Sequence, residues 1–232
     1  MAGLVREALA ISVGVALALG GQAWFEGRSD RTHGRELLQA VLQEMESNQE
    51  GTNRILATVR GRRLELQSFH DFLGSAEAVL QPDSVLSGAA RLLRASGSGV
   101  VSPALDEALQ SGNLRLIQDP DLRLMLSQYQ DRIRTQREFT DDHQDWTNQQ
   151  TRSFLIAHGR IDDVFGDADA LGTTFPPSHI SGGGDQLIGS REFENYVRDQ
   201  LWWALLIERR LVANLDRFAD YVHRLGAALD AG

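Results

Sequence analysis

Residues 191–228 read REFENYVRDQLWWALLIERRLVANLDRFADYVHRLGAA, a run without proline. Apolar side chains recur along it at spacings of three and four residues, which is the period of one face of an amphipathic helix. The pattern therefore predicts a single helix from Arg191 to about Ala228. Its apolar positions are Phe193, Val197, Leu201, Leu205, Leu211, Leu215, Phe218, Val222 and Leu225.

The same helical period extends through most of the remaining chain. Spaced apolar residues predict a long helix that reaches about residue 73 despite Gly51 and Gly61, and another over about 120–150. Residues 74–83 are expected to form a loop and residues 85–94 a short helix. No stretch of any length alternates as a β-strand does, so the sequence predicts an all-α fold.

Two helix starts are marked by their residue types. Ser102 precedes Pro103, and Asp119 precedes Pro120. A polar N-cap residue followed by proline at the first helical position is typical of a helix N-terminus. Gly112 follows the first of these helices as an expected C′ glycine.

An uncharged segment lies near the N-terminus. Residues 8–25 read ALAISVGVALALGGQAWF and carry no charge. As a helix they span ~27 Å, close to the roughly 30 Å hydrocarbon core of a bilayer. Trp24 and Phe25 close the run, and aromatic rings of this kind are enriched at membrane interfaces. The segment predicts a transmembrane anchor.

Two other interpretations of this segment are a signal peptide and a buried helix. A cleavable signal peptide would use Arg6 as its basic region and Gly21 to Ala23 as a small-x-small cleavage site. A buried core helix would have to hide the whole segment inside the protein. The uncharged length at the N-terminus favours the anchor over both.

The anchor implies a division of the chain and a side of the membrane. We expect a membrane anchor over residues 1–29 and a helical extrinsic domain over residues 30–232, with an irregular Gly- and Pro-rich loop at 159–190. More arginines follow the anchor than precede it, and this distribution slightly favours a cytoplasmic location of the extrinsic domain. The short N-terminal tail favours the opposite layout. We expect a single-pass protein of the bacterial inner membrane with a periplasmic domain.

Small residues recur within the anchor. Ala10, Gly14 and Ala18 are spaced by four, and small residues at this spacing allow transmembrane helices to approach closely. The spacing predicts contact with a transmembrane helix of a partner.

Composition excludes several kinds of chemistry. The net charge of −9 argues against nucleic acid as a partner, because phosphate binding needs a basic face. Cysteine is absent, and all 23 basic residues are arginine. Disulfides, thiolate ligands and lysine nucleophiles are therefore excluded for this chain.

One acidic stretch invites comparison with a calcium loop. An EF-hand loop begun at Asp167 would have Asp169 at its third position. It would have Leu171 at the fifth position, where an oxygen ligand is needed, and Ser178 at the twelfth, where glutamate is needed. A solvated turn is the favoured interpretation.

His143 stands among acidic residues of the predicted 120–150 helix, namely Asp141, Asp142 and Asp145. A metal site would pair this histidine with a carboxylate or with His70 from another helix. No two histidines stand at the i, i+4 spacing of a helical zinc motif. A charged, solvated helix face is favoured, and neither a metal nor a cofactor is expected.

Trp202 and Trp203 lie within an apolar run from Leu201 to Ile207. One interpretation is a central helix that is buried on all sides. The other is that one of the two tryptophans faces a partner or the membrane, since tryptophan is enriched at interface hot spots. We expect one of the pair to be exposed, and both are candidate partner contacts.

The chain resembles a known group of proteins in several places. Arg6-Glu7, the apolar run and the closing Gln-Ala-Trp-Phe-Glu resemble the single-pass bacterial membrane proteins of the DUF6090-like group. Leu37 to Asn48 is similar to the helix that follows the anchor of that group. Ser111 to Ile117, with Tyr129, is similar to its central signature. The resemblance implies a membrane-anchored helical domain and supplies no catalytic residues.

These features predict a non-catalytic accessory or scaffold subunit that binds and stabilises a larger inner-membrane complex. Its expected partners are integral membrane subunits and the lipid bilayer, and respiratory or photosynthetic assemblies are candidate hosts. The alternative is a membrane-tethered sensor or binding module, whose loop at 159–190 receives a ligand or peptide.

Overall fold

The computed structural model describes residues 2–89, 99–151, 153–154, 157 and 184–231. Every regular element of these residues is helical, which confirms the predicted all-α class. The elements are α1 (Ala2–Leu73), α2 (Ala76–Leu80), α3 (Pro82–Ala89), α4 (Pro103–Gln110), a 3₁₀ helix (Asn113–Leu116), α5 (Pro120–Trp146), a π-helical turn (Thr147–Thr151), α6 (Gly184–Leu187) and α7 (Arg191–Ala231).

The long helices follow the apolar spacing, and the short ones depart from it. Helix α1 continues through Gly51 and Gly61 to Leu73, and α7 begins at Arg191 as predicted. The loop predicted over 74–83 is wrong, since α2 lies within it. Five residues are too few for a periodic signal, and α2 therefore could not be predicted from the sequence.

The predicted helix starts are confirmed, with one cap supplied from a distance. The Asp119 carboxylate accepts hydrogen bonds from the amides of Asp121 and Leu122, at 2.8 and 3.3 Å, and so caps α5. At the start of α4 the Ala104 amide instead donates to Glu44 Oε2 of α1, at 2.8 Å. Gly112 has a φ of +74° after α4, as a C′ glycine requires.

The chain forms two compact units, each built from separated segments. The first unit comprises residues 1–47, 101–131 and 220–232. In its core the rings of Tyr129 and Tyr221 pack edge to face, with centroids 5.7 Å apart. The Arg35 guanidinium of α1 donates to the Leu229 carbonyl of α7 at 3.1 Å. Within this unit, α1, α5 and α7 therefore share one core.

The second unit comprises residues 48–100 and 132–219. Phe69 of α1 packs edge to face on Phe193 of α7, with centroids 6.1 Å apart. Farther along the same two helices, a smaller cluster of buried apolar residues joins Leu56, Val59, Ile207 and Leu211. The larger cluster contains Leu66, Phe69, Ala78, Val85, Ala89, Phe154, Leu187, Phe193 and Val197.

The predicted anchor segment forms part of the beginning of α1. Gly14, Ala18, Trp24 and Phe25 are exposed there, whereas Ala10 lies outside the residues whose side chains are described. Within the described residues, no helix combines the length and the apolar character that a membrane span requires.

Two glycines of α1 provide a matched test of the packing. A Cβ on Gly51 would lie 2.6 Å from the Gly99 carbonyl oxygen, whereas a Cβ on Gly61 would meet nothing within 4 Å. We expect Gly51→Ala to lower the free energy of unfolding by about 1–3 kcal/mol through overpacking. Gly61→Ala should raise it by about 0.5–1 kcal/mol, because alanine favours the helix.

Urea denaturation followed by circular dichroism measures both variants under the same conditions. Equal stabilisation by the two substitutions would contradict the close approach of Gly99 to α1.

Candidate functional site

The two neighbouring tryptophans of α7 lie in different surroundings. Trp202 is 55% exposed, and Leu205, one turn farther along, is 47% exposed. Trp203 is partly buried, with its ring centroid 5.5 Å from that of Phe139 and 5.0 Å from that of His143. The interpretation of residues 201–207 as a helix buried on all sides is therefore wrong.

Trp202 lines a groove between α1 and α7 within the second unit. The groove encloses about 440 Å³. Its apolar surface comes from Leu201, Trp202 and Leu205, all on α7. We call it the α1–α7 groove, and its remaining lining residues are Arg63, Gln67, His70, Asp71 and Arg198.

An ion-pair cluster fixes α1 against α7 beside this groove. Glu208 of α7 accepts from Arg60 Nε at 2.8 Å and from Arg63 Nε at 3.0 Å, one carboxylate oxygen for each arginine. The hydrogen bond from Arg60 and that from Arg63 lower the pKa of the Glu208 carboxyl, so the carboxylate stays charged. The cluster holds one wall of the groove in register with the other.

His143 lies in the interior, against the ring of Trp203. Its side chain is 1% exposed, whereas Asp141, Asp142 and Asp145 are exposed. The favoured interpretation of a solvated helix face is therefore correct for the three aspartates and wrong for His143. The imidazole packs against the Trp203 ring at an interplanar angle of 40°, and this contact accounts for its inward position.

A chain of polar side chains runs from α1 to His143. Arg62 Nη2 donates to Gln200 Oε1 at 2.7 Å. Gln200 Nε2 donates to Thr147 Oγ1, and Thr147 Oγ1 lies the same distance, 3.4 Å, from His143 Nε2. Gln200, Thr147 and His143 are each 1% exposed. We call this set the buried polar chain.

The buried polar chain implies a protonation state for His143. The Thr147 hydroxyl can donate to His143 Nε2 or accept from it, and either arrangement is compatible with a neutral imidazole. Among the described residues, His143 Nδ1 has no hydrogen-bond partner. Burial, and secondly the charge of Arg62, lower the pKa of His143 from 6.5 to about 4. The imidazole is therefore neutral near pH 7.

Sequence reasoning did not find this chain of contacts. His143 and Thr147 stand one turn apart, but Thr147 begins the π-helical turn, which shifts the helix register at this point. Arg62 and Gln200 come from two other helices, so no local motif links them. The only local signal was a histidine and a threonine at i, i+4 spacing.

The metal interpretations find no support in the described part of the chain. No group of three or more histidine and acidic side chains in the described residues is arranged to hold a metal ion. His70 lines the α1–α7 groove and does not join His143. The acidic stretch that contains Asp167 and Asp169 lies outside the described residues, as does most of the loop predicted at 159–190.

Comparison of the chain with protein-family models, with curated proteins and with solved structures finds no match. The resemblance to the DUF6090-like group stays a prediction.

The low pKa of His143 gives the second unit a defined response to acid. Between about pH 4 and 6.5 the unfolded chain binds a proton that the folded chain does not. The free energy of unfolding should therefore be highest above pH 6.5 and fall as the pH is lowered toward 4. The fall attributable to His143 is on the order of 3 kcal/mol.

Urea denaturation at a series of pH values measures this dependence. His143→Phe, which keeps a ring against Trp203, should flatten the profile over this interval. The control, His223→Gln, alters an exposed histidine of α7 and should leave the profile unchanged. An unchanged slope in His143→Phe would contradict the assignment of a neutral buried imidazole.

Proposed function

We propose that the chain is a non-catalytic accessory subunit, anchored in the bacterial inner membrane with its helical part on the periplasmic side. Its role is to bind and stabilise a larger complex of integral membrane subunits, for which respiratory and photosynthetic assemblies are candidate hosts. The occupant proposed for the α1–α7 groove is an apolar helical segment of such a subunit.

The exposure of Trp202 in this groove carries the proposal. A half-exposed tryptophan beside an exposed leucine is costly to leave in water, and its burial against a partner contributes strongly to affinity. The ring also packs on Trp203 with centroids 5.3 Å apart. This contact restricts the rotamers of Trp202, which reduces the side-chain entropy that is lost when a partner covers the ring.

The charges around the groove also fit binding better than reaction. Arg60 and Arg63 are tied to Glu208, and the exposed Arg198 lies 3.9 Å from Glu194. These groups pair with one another at the edge of an apolar surface. A polar rim around an apolar centre is the usual anatomy of a protein interface.

The beginning of α1 supports the membrane-anchored part of the proposal. Leu17, Leu19, Trp24 and Phe25 are each more than 60% exposed. The Arg28 guanidinium lies 5.8 Å from the Trp24 ring centroid, a cation–π contact that suits a membrane interface. The exposure of four large apolar side chains on one short stretch of helix favours burial of this stretch in lipid or against a partner helix.

Substitution of Trp202 tests the groove. In native electrophoresis of gently solubilised membranes, the wild-type chain should migrate within a large particle. Trp202→Ala should move most of the chain to the free position, because loss of a tryptophan hot spot costs about 2 kcal/mol or more, roughly thirtyfold in affinity. Circular dichroism checks that the variant stays folded.

The matched control is Leu124→Ala, which removes another exposed apolar side chain, in this case from α5 in the first unit. It should leave the chain within the particle. Migration of the wild-type chain alone would refute the accessory-subunit proposal.

Substitution of Gly14 tests the packing of the anchor. Gly14→Ile would place a branched side chain between Ala10 and Ala18 and should weaken co-purification of the partner, since small residues allow close helix approach. Leu19→Ile is the control, because position 19 lies about 140° around the helix from position 14. Equal co-purification with both variants would show that this face makes no helix contact.

A further inference from the structure

A second cavity lies within the first unit, close to the proposed anchor. It encloses about 260 Å³, slightly below the roughly 300–1,000 Å³ typical of small-molecule sites. Most of its wall is apolar. The lining residues are Arg31, Gly34, Arg35, Leu38, Leu116, Ile117, Gln118, Asp119, Leu122, Ala228 and Leu229.

The close approach of α1 to the 3₁₀ helix shapes this cavity. A Cβ on Gly34 would lie 2.9 Å from the Leu116 carbonyl oxygen, so only glycine permits this spacing. Ile117, Leu122 and Leu229 are buried around it. The result is a small apolar recess walled by α1, the 3₁₀ helix, α5 and α7.

The positive charge at this cavity comes from two arginines of α1, Arg31 and Arg35. Among the described residues, neither Arg31 nor Arg35 forms an ion pair, and the hydrogen bond of Arg35 goes to the neutral Leu229 carbonyl. Asp119 is the acidic residue in the lining, and its Oδ1 accepts from two amides at the N-terminus of α5. The lining therefore has two arginines and one aspartate beside an apolar recess.

We propose that this cavity binds an anionic amphiphile, with the anionic head group between Arg31 and Arg35 and the first methylenes of the chain in the apolar recess. Arginine suits phosphate and carboxylate groups because its planar fork donates to two oxygens at once. The apolar wall distinguishes such a ligand from a free inorganic anion. The volume suits a head group with a short length of chain.

The proposal for this cavity rests on the proposed function only for the source of the amphiphile. Arg31 and Arg35 follow Phe25 by about 9 and 15 Å along α1, just beyond the head groups of a bilayer that holds residues 8–25. A lipid of the adjoining leaflet and a free anionic amphiphile share the same chemistry at this site.

Equilibrium dialysis with radiolabelled octyl phosphate tests the site, using the full chain in phosphatidylcholine nanodiscs with empty nanodiscs as the blank. We expect saturable binding of one equivalent per chain. The double variant Arg31→Gln/Arg35→Gln should weaken it by roughly tenfold or more, because charge-assisted hydrogen bonds are lost. Ala228→Phe, which fills the recess, should weaken it without a change in charge.

Three controls define the outcomes that would overturn the proposal. Arg115→Gln removes an exposed arginine of the 3₁₀ helix outside the lining and should bind as the wild type does. Equal binding by the double variant would show that octyl phosphate is taken up only by partition into the lipid. Equal binding of octyltrimethylammonium would exclude charge recognition, and equal binding of inorganic phosphate would exclude the apolar recess.

Nanodiscs containing phosphatidylglycerol identify the source. Displacement of octyl phosphate by them supports a lipid of the bilayer, whereas retention supports a free anionic amphiphile. A chain that fails to enter nanodiscs would contradict the proposed anchor, and the same dialysis in buffer would still test the cavity.

Discussion

The packing of α7 against α1 in the second unit is the constraint on which the candidate site depends. Phe69 on Phe193, the cluster around Leu211 and the pairing of Glu208 with two arginines all join these two helices. Because the register of the helices is fixed on both sides of residue 202, Trp202 and Trp203 have no freedom to exchange places. One lies in the α1–α7 groove and the other covers His143.

The sequence allowed the long helices to be predicted because each repeats its apolar period many times. It also located the starts of α4 and α5, where a polar residue and a proline are adjacent in the chain. It failed at α2, which is too short to show a period. It could not tell which of Trp202 and Trp203 is exposed, since neighbours on a helix differ by about 100° in direction and only tertiary packing fixes that direction.

The buried polar chain could not be predicted from the sequence, for a related reason. Its four members come from α1, α5, the π-helical turn and α7, and each residue type is ordinary on a solvated surface. Their meeting depends on the register of three helices at once. His143 shows the consequence, because its acidic neighbours correctly indicated a wet face while the histidine itself points inward.

The capping of α4 by Glu44 makes the stability of α4 dependent on α1. Helix α4 has eight residues, and no side chain of its own N-cap residue, Ser102, caps it. A helix of this length is marginal in water by itself. Its first free amide is satisfied by a carboxylate sixty residues earlier in the chain, so the cap exists only while that long loop is closed. Local unfolding of α1 around Glu44 would therefore also release the N-terminus of α4.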